Sequence, residues 1–330
     1  MRYLNRIKYF LTTAVQSIAK LEPSTFGRIA LFCDLMYCRL RFHVSLREYF
    51  CLHYYNYKDR YRKNFMLRYH QNHRYRRVNN DFVTQSKYGL YTRLQGLFKR
   101  EMILLPNCGE EAFLDFVKKH KHVVLKPDTG SLGEGVSTFT YESDEQALQR
   151  FREISGEMVC EEFIHQHSEL AAVNPYSVNT LRIIAIRHAA DDIEIVAATL
   201  RSGVQTDSFV DNMSSGGLAA QIDPETGIVT TYGIDRNDKQ YAYHPITKKQ
   251  LIGMNIPNWS IAVDLLKKAH SQLSENPVLG WDIAITEEGA DIVEANSAPG
   301  PNAFQMADHT PRGEKILKIL NNRKNHLYKD

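Results

Sequence analysis

The segment from residue 280 to residue 296 constrains the fold of this chain more than any other. It contains two runs with strand-like alternation, residues 280–285 and 291–296, separated by the turn residues Glu287, Glu288 and Gly289. A three-residue hairpin loop commonly has a glycine in the left-handed conformation, so we expect strand pairing to be symmetric about Glu288. The sequence therefore predicts an antiparallel β-hairpin.

Three oxygen-bearing side chains converge in this hairpin. The expected register sets Asp282 opposite Glu294, and Asn296 shares a face with Glu294 because it lies two residues further along the strand. Two carboxylates and an amide oxygen need a cation between them, and oxygen ligands without His or Cys favour Mg²⁺. A hairpin whose polar residues simply face water is the alternative. The opposite face is expected to carry Ile283, Asp291, Val293 and Ala295, with Asp291 at the protein surface.

A lysine beside a glycine-rich turn forms the second motif. Residues 123–126 are expected to form a strand that ends at Lys126, and residues 130–136 read GSLGEGV. A lysine in this position can contact phosphate while backbone N–H groups of the turn cover it. No Gly-Lys-Ser/Thr sequence opens a helix here, which excludes a Walker loop. A phosphate contact and a flexible surface loop both fit this motif.

Two further motifs carry candidate ligand contacts. An apolar strand leads into residues 161–164 (EEFI), whose backbone either faces an adenine edge or simply leaves the core. Arg182 and Arg201 lie near opposite ends of two consecutive expected strands, residues 179–188 and 194–201. Guanidinium groups there can grip a phosphoryl group or a carboxylate, although surface arginines are common.

The remaining pattern mixes strands and helices, which implies an α/β or α+β chain. Helices are expected at residues 145–154 and 259–273. Further strands are expected at residues 158–161, 218–222 and 228–232, with the turn sequence DPETG between the last two.

Charge is distributed unevenly along the chain. Residues 1–100 contain 20 Lys and Arg against 5 Asp and Glu, a balance of +15, so the remaining residues carry −12 in a chain of net charge +3. A basic region of this length fits an acidic partner such as a polyanionic glycan, nucleic acid or anionic lipid, or equally a solvated surface that contacts the acidic half. Residues 60–77 are rich in Arg, Tyr and His but match no nucleic-acid-binding motif, so a nucleic-acid partner is not expected.

The first 80 residues are expected to be helical and rich in loops. An amphipathic helix there docks on its own protein or lies on a membrane surface. No stretch approaches the ~20 apolar residues of a membrane span, and five scattered cysteines favour a reducing cytoplasm. The helical spacing is carried by Leu4, Ile7, Leu11, Ala14, Val15 and Ile18.

The four motifs occur together and in order, and they resemble the ATP-grasp superfamily, which includes D-alanine–D-alanine ligase, glutathione synthetase and protein-modifying glutamate ligases. Residues 175–182 (PYSVNTLR) and 211–217 (DNMSSGG) look like the branch called sugar-transfer-associated ATP-grasp. Residues 280–282 (GWD) and 294–296 (EAN) fit the same branch. The resemblance extends from residue 87 to residue 313 of this sequence.

The resemblance implies an α/β (α+β) ATP-grasp fold in which two subdomains grip ATP. The ATP-grasp domain is expected at residues 85–330, with a first nucleotide-binding subdomain at 85–165 and a second subdomain, carrying the metal site, at 166–330. A basic, mainly helical region at residues 1–84 precedes it and matches no usual first domain of the superfamily.

The resemblance also implies roles for particular residues, with ATP and Mg²⁺ (or Mn²⁺) as cofactors. Asn179, Arg182 and Arg201 are the expected catalytic residues, and Asp282, Glu294 and Asn296 the metal ligands. Ser86 precedes Lys87 where the superfamily usually has Asp, and the ribose contact falls on Glu169 or Ser168. The expected nucleotide contacts are Lys87, Lys126, Gly130, Ser131, Gly133, Gly135, Glu161, Glu162, Phe163, Ile164 and Glu169.

The implied function is ATP-dependent carboxylate–amine ligation through an acyl phosphate, in surface polysaccharide or glycan biosynthesis. The partners would then be ATP, small carboxylate and amine substrates and an acidic sugar or glycan. A cytoplasmic location, at the inner face of the membrane if the first helix docks there, follows. The alternatives are a kinase on the same fold, which phosphorylates a hydroxyl, and a non-catalytic glycan- or membrane-associated binding protein.

Overall fold

The structure is a computed structural model that describes residues 2–80, 82–130, 134–206 and 213–321. The described chain contains helices α1 (Arg2–Leu21), α2 (Thr25–Phe42), α3 (Leu46–Cys51), α4 (Asp59–Arg62), α5 (Arg68–His73), α6 (Phe82–Gln85), α7 (Lys87–Arg93), α8 (Gly109–His120), α9 (Asp144–Arg152), α10 (Ser168–Ala171), α11 (Trp259–Ser271), α12 (Ala303–Met306) and α13 (Glu314–Asn321). Its strands are β1 (Met102–Leu105), β2 (His122–Pro127), β3 (Ser137–Thr140), β4 (Met158–Glu162), β5 (Thr180–Ala189), β6 (Asp192–Ser202), β7 (Leu218–Ile222), β8 (Gly233–Ile234), β9 (Gln240–Tyr241), β10 (Val278–Thr286) and β11 (Gly289–Asn296).

The smaller sheet has four antiparallel strands in the order β1-β4-β2-β3. Its apolar side chains share one core with α8 and α9, in which Phe113, Leu125, Ala147 and Cys160 are buried. Ser143 caps α9 by accepting a hydrogen bond from the backbone N–H of Gln146, which offsets one unpaired donor of the first turn. The predicted strands at 123–126 and 158–161 and the helix at 145–154 are therefore confirmed.

The larger sheet has seven strands in the order β11-β10-β5-β6-β7-β8-β9. Helix α11 packs against it, and Leu181, Leu266 and Trp281 lie in the shared core. A regular strand at 228–232 was predicted and is wrong. The N–H of Val229 donates to Met254 while that of Thr230 donates to Gln221, so this segment divides its hydrogen bonds between two neighbours.

The C-terminal hairpin pairs Asp282 with Glu294, as predicted, but the predicted loop is wrong. Thr286 already pairs with Gly289, so the turn has two residues rather than three. A bulge next to Asp282 then shifts the register by one residue and restores the predicted partner. Since directly paired residues point to the same side of a sheet, both carboxylates lie on one face.

The N-terminal helical region shares its core with the larger sheet. Met66 and Tyr75 are buried in one cluster with Ile184, Val278 and Phe304. The contact between the basic region and the rest of the chain, one of the two alternatives that the charge distribution leaves open, is therefore present, and these buried contacts are apolar rather than ionic.

Only part of the apolar stripe of α1 packs on the protein. Ala14 and Ile18 are buried, whereas Leu4 and Val15 are 70% and 60% exposed, and Phe26 at the start of α2 is 84% exposed. Docking of α1 on its own protein therefore explains why Ala14 and Ile18 are buried. It does not explain why Leu4 and Val15 are exposed. Within the described ranges, none of the helices combines the length and hydropathy needed to cross a bilayer.

Candidate nucleotide and phosphate site

A cavity of about 390 Å³ lies between the two sheets, and we call it the inter-sheet cavity. One wall comes from β2, the turn after it and the end of β4, and the other comes from residues 164–180 and from β11. Its lining includes Lys87, Lys126, Gly130, Glu161, Phe163, Ile164, Thr180, Val293 and Glu294. Val293 was expected on the far face, and the bulge in the hairpin explains its place beside Glu294.

Lys126 belongs to a buried network of alternating charges. Its Nζ lies 2.6 Å from Oε1 of Glu161, whose Oε2 lies 3.0 Å from the guanidinium of Arg100. Arg100 in turn reaches Oδ2 of Asp291 at 2.7 Å. Burial alone would raise the pKa of Glu161, but Arg100 and Lys126 outweigh it and hold that pKa below its usual value. Glu161 is therefore ionised at neutral pH and fixes Lys126 at the cavity wall.

Asp291 is a buried member of this network, so its predicted surface position is wrong. It is 2% exposed, and besides Arg100 it accepts a hydrogen bond from the backbone N–H of Lys99 at 2.9 Å. Strand alternation does turn Asp291 away from Glu294, but that face of β11 packs against residues 98–100 rather than water.

Changing Asp291 to asparagine should destabilise the fold. The change leaves the 4% exposed Arg100 with a single carboxylate partner, and breaking a buried ion pair typically costs about 3–5 kcal/mol. Urea unfolding should reveal a loss of that size, whereas Glu288→Gln in the exposed hairpin turn should unfold like the parent protein. An unchanged unfolding midpoint for Asp291→Asn would contradict the buried network.

Lys87 lies at the first turn of α7, across the same end of the cavity. Its Nζ donates to the carbonyl oxygens of Pro127 and Asp128 at 2.9 and 3.2 Å. Burial, and then the charge of Lys126, lower the pKa of Lys87. Two ammonium groups that line the same cavity favour an anionic ligand between them.

The glycine-rich turn follows directly. Gly130 has a φ of 119° and lines the cavity beside Lys87. Gly135 has a φ of 73°, and a Cβ there would lie 2.9 Å from Cγ of Pro127, so the turn requires glycine at this position. Ser131 and Gly133, also predicted contacts, lie outside the described residues.

The apolar end of the cavity is formed where β4 ends. Phe163 and Ile164 line it, while the carboxylate of Glu162 turns away and accepts a hydrogen bond from the backbone N–H of Glu101. Glu169, the predicted ribose contact, is also not brought to the cavity, because it is exposed and lies 3.1 Å from Nζ of Lys249.

Gln166 and Asn179 hold the chain that forms the opposite wall. Nδ2 of Asn179 donates to Oε1 of Gln166 at 2.8 Å and to the carbonyl oxygens of Leu170 and Asn174. Asn179 is completely buried, so the geometry does not support its predicted catalytic contact and gives it a positioning role instead. Gln166 lines the cavity and was missed, because a lone Gln carries no recognisable sequence signal.

Arg182 and Arg201 both bind the carboxylate of Asp282, and we call these three residues the arginine–aspartate cluster. Arg182 donates from Nε to Oδ1 and from Nη2 to Oδ2, the latter at 2.8 Å, and Nη1 of Arg201 lies 2.9 Å from Oδ2. Burial would raise the pKa of Asp282, but the two guanidinium groups hold it below its usual value. The two predicted arginines thus meet because β5 lies between β6 and β10.

The predicted metal ligands lie next to this cluster. Asn296 Nδ2 donates to Oε1 of Glu294 at 2.9 Å, and both residues line an adjoining cavity of about 450 Å³ that also contains Lys87 and Gly130. Asp282 pairs with Glu294 across the hairpin. Glu294 and Asn296 present oxygen atoms to this cavity, and oxygen ligands fit Mg²⁺. Both oxygens of Asp282 are bound by Arg182 and Arg201, so Asp282 could join a metal site only if an arginine released one of them.

Several solved structures resemble the chain at low sequence identity. The ATP-grasp ligase PsnB, complexed with a phosphomimetic variant of its minimal precursor, Mg and ADP, is 12% identical over 74% of this chain and 62% of that chain, with a TM-score of 0.44. The ADP complex of PurK, an N5-carboxyaminoimidazole ribonucleotide synthetase, is 15% identical over 73% of this chain and 52% of that chain, with a TM-score of 0.46. D-alanine–D-alanine ligase from Helicobacter pylori is 17% identical over 72% of this chain and 60% of that chain, with a TM-score of 0.40. The chain thus spans less than two thirds of each of these proteins.

None of the curated proteins compared with the chain matches it in sequence. A family model described as sugar-transfer associated ATP-grasp matches residues 152–321, which is more than half of the 330 residues. The matched segment contains the arginine–aspartate cluster and the predicted metal ligands. The chain therefore belongs to the sugar-transfer-associated ATP-grasp family.

Proposed function

We propose that this chain is an ATP-dependent carboxylate–amine ligase. The observation that carries the proposal is the convergence of Lys87, Lys126, Gly130 and Glu294 on adjoining cavities. The arginine–aspartate cluster joins this group through the cross-strand pair of Asp282 with Glu294. Phosphoryl transfer depends on positioning and charge neutralisation more than on a covalent protein group. A site built from ammonium, guanidinium and carboxylate groups supplies both.

In the proposed reaction, a substrate carboxylate oxygen attacks the γ-phosphorus of ATP. The bond from that phosphorus to its bridging oxygen breaks, ADP leaves and an acyl phosphate forms. An amine nitrogen then attacks the acyl carbon, the carbon–oxygen bond to phosphate breaks, and the nitrogen loses a proton to solvent. The products are an amide, ADP and inorganic phosphate.

Each group of the site takes one task in this proposal. Lys126 and Lys87 hold the phosphates under the glycine-rich turn, and the backbone of Phe163 and Ile164 holds adenine. Arg182 and Arg201 face the transferring phosphoryl group. Asp282, Glu294 and Asn296 are the residues that would hold Mg²⁺, which neutralises phosphate charge when bound.

The proposal is tested by measuring ADP and inorganic phosphate in parallel while pools of amines and carboxylic acids are screened. A ligase releases both products in equal amounts, and only when the amine and the carboxylate are present together. Release of ADP without phosphate in the presence of a hydroxyl substrate would establish a kinase instead. Absence of substrate-dependent ADP release across the pools would favour a binding protein.

For the substrate, we propose a carboxylate on an acidic sugar of a polysaccharide precursor, joined to an amino acid. The family description associates the fold with sugar transfer. The balance of +15 in residues 1–100 favours an acidic acceptor electrostatically. Uronic-acid derivatives are therefore the first carboxylates to include in the screen.

We also propose that the first two helices rest on an anionic membrane surface at the cytoplasmic face. Leu4 and Val15 on α1 and Phe26 and Leu40 on α2 are between 60% and 84% exposed, and basic residues flank them. A helix with exposed apolar residues and a basic polar face suits an anionic lipid interface. Exposed apolar residues alone would not select the charge of the lipid.

The full chain should therefore sediment with vesicles that contain phosphatidylglycerol and not with vesicles of phosphatidylcholine alone. Burying an apolar side chain contributes about 1.5–3 kcal/mol, so the double variant Leu4→Ser, Phe26→Ser should lose most of the binding. Changing the exposed Tyr243, which lies outside this region, to serine is the matched control. Equal sedimentation of the double variant and the parent would contradict the proposal.

A further inference from the structure

Away from the inter-sheet cavity, three side chains from distant parts of the chain meet. Nε2 of His53 lies 2.8 Å from Oδ2 of Asp238, and Nε2 of His309 lies 3.7 Å from Oδ1 of the same carboxylate. The two imidazole rings are stacked, with centroids 3.6 Å apart. Three potential ligand atoms therefore lie within 4.8 Å of one another. We call these residues the His–Asp–His cluster.

The backbone at all three positions is unusual. His53, Asp238 and His309 have φ values of 46°, 68° and 56°, in the left-handed region that favours glycine. In the described part of the chain seven non-glycine residues have positive φ, and three of those seven form this cluster. Left-handed backbone costs about 1–2 kcal/mol per residue, and such costs concentrate at functional sites. Asp and His adopt this region more often than most other non-glycine residues, so the shared conformation marks three irregular turns that meet at the cluster.

Hydrogen bonding shows what a metal ion would have to change in the cluster. A carboxylate only accepts, so Nε2 of His53 carries a proton that metal binding would release, and the two stacked rings would tilt apart. Nδ1 of His309 lies 3.2 Å from the carbonyl oxygen of Cys51. Since a carbonyl only accepts, Nδ1 must carry the proton, and in the neutral ring Nε2 keeps its lone pair and lies on the side of Asp238. Oδ1 of Asp238 is buried and has no hydrogen-bond partner among the described residues. A buried acceptor without a partner is costly.

We propose that the His–Asp–His cluster binds a divalent transition-metal ion of the zinc class. Two imidazole nitrogens and one carboxylate oxygen form a common ligand set for Zn²⁺, whereas Mg²⁺ prefers oxygen alone. The carbonyl oxygen of Cys51 accepts the hydrogen bond from Nδ1 of His309 and so orients the ring, as the partners of metal-bound histidines commonly do. The side chains of His53, Asp238 and His309 are 31%, 27% and 16% exposed, so solvent can supply a fourth ligand.

The metal would fasten the N-terminal helical region to the ATP-grasp domain. His53 follows α3, Asp238 lies in the turn between β8 and β9, and His309 follows α12. These segments are 185 and 71 residues apart in sequence, and the chain brings them together only when the N-terminal region is docked. Since the unfolded chain lacks the site, binding should stabilise the docked state by ligand linkage. This site is separate from the magnesium ligands proposed for catalysis.

The test uses the full-length protein and Zn²⁺ alone, without nucleotide. After stripping with a chelator, titration calorimetry and metal analysis should give one Zn²⁺ per chain, and Zn²⁺ should raise the melting temperature. Asp238→Asn removes the charge but keeps the shape, and Asn also tolerates left-handed backbone. It should weaken Zn²⁺ binding by about 100-fold. Even changes to residues that only hydrogen-bond to a metal ligand weaken metal binding by about 10–100-fold, and Asp238 is proposed as a direct ligand. His43→Ala is the matched control, because His43 is another left-handed histidine of the N-terminal region and stacks on Tyr69 instead.

His53→Ala and His309→Ala should lose binding as well, and their circular dichroism without metal reports whether they fold. If either fails to fold, Asp238→Asn decides the outcome. Two results would overturn the proposal: no stoichiometric Zn²⁺ binding by the parent protein, or unchanged affinity in a folded Asp238→Asn variant.

Discussion

Replacing Lys126 by alanine is expected to lower ATP-dependent turnover by about 10²–10³-fold, the usual loss when one preorganised charge contact is removed from a phosphate or oxyanion site. The large effect follows from how the lysine is held. Glu161 fixes its ammonium group at the wall of the inter-sheet cavity at 2.6 Å, so little reorganisation is needed when phosphate arrives. An unanchored surface lysine would give a smaller loss.

Lys126→Ala should lose stability, because buried Glu161 loses one of its two partners, but it should still fold because Glu161 keeps its contact with Arg100 at 3.0 Å. The measurement is steady-state ADP release, with unfolding by urea run in parallel. Lys118→Ala is the matched control, since Lys118 also lies on the smaller subdomain and pairs with a carboxylate, Asp144, at the surface. Turnover near that of the parent in a folded Lys126→Ala variant would show that the lysine does not hold phosphate.

Asp282→Asn and Glu294→Gln are expected to lower turnover by about as much as Lys126→Ala. The two variants should do so for different reasons, which can be measured separately. Asp282 binds both Arg182 and Arg201, so its neutral variant loses the geometry of the arginines as well as a metal ligand. Glu294 has Asn296 as its hydrogen-bond partner and leaves the arginines untouched. Each change should cut turnover by about 10²-fold or more.

The Mg²⁺ dependence of turnover separates the two roles. Glu294→Gln should need markedly more Mg²⁺ for half-maximal rate, and excess Mg²⁺ should restore part of its activity. Asp282→Asn should remain slow at saturating Mg²⁺, because its arginines stay misplaced. Glu288→Gln, in the exposed turn of the same hairpin, is the control and should match the parent. Identical Mg²⁺ curves for Glu294→Gln and the parent would remove Glu294 from the metal site.

The C-terminal hairpin illustrates how far the sequence alone could reach. Strand alternation and a turn glycine were enough to pair Asp282 with Glu294, although the true turn is one residue shorter. The error in turn length had no effect on this pair because β11 contains a bulge. The bulge places one extra residue between Ile292 and Glu294, which shifts the register back to the predicted one. A bulge depends on packing against neighbouring strands, so the hairpin sequence by itself could not reveal it.

Buried charges were the main feature that the sequence could not place. Asp291 was assigned to the surface because its strand face points away from Glu294, but Arg100 covers that face from 191 residues earlier in the chain. In the sequence, Arg100 could be recognised only as one of the 20 basic residues among residues 1–100, with no sign that it would be buried. The spacing of residues along a strand predicts which side chains share a face of that strand. Whether that face contacts water or other residues depends on tertiary contacts, which the strand sequence does not contain.

Some residues that the family resemblance assigned to ATP lie together at one cavity, and the residue assigned to the ribose does not. Lys87, Lys126 and Gly130 line the inter-sheet cavity, whereas Glu169 lies at the surface beside Lys249. The lysines and the glycine belong to short motifs with fixed local geometry. The ribose contact was inferred by counting from Glu161, and the irregular chain between β4 and α10 does not preserve such a count.

The proposed ligase function depends most directly on Mg²⁺-dependent nucleotide binding, and one thermal unfolding series tests that binding. The melting temperature of the full chain should rise with millimolar ATP and Mg²⁺, because a ligand at about 100 times its dissociation constant contributes about 2.7 kcal/mol. EDTA should cancel the rise, and Glu294→Gln should reduce it at limiting Mg²⁺. A well-folded sample whose melting temperature is the same with and without Mg²⁺ and ATP would contradict the nucleotide site and the ligase function proposed from it.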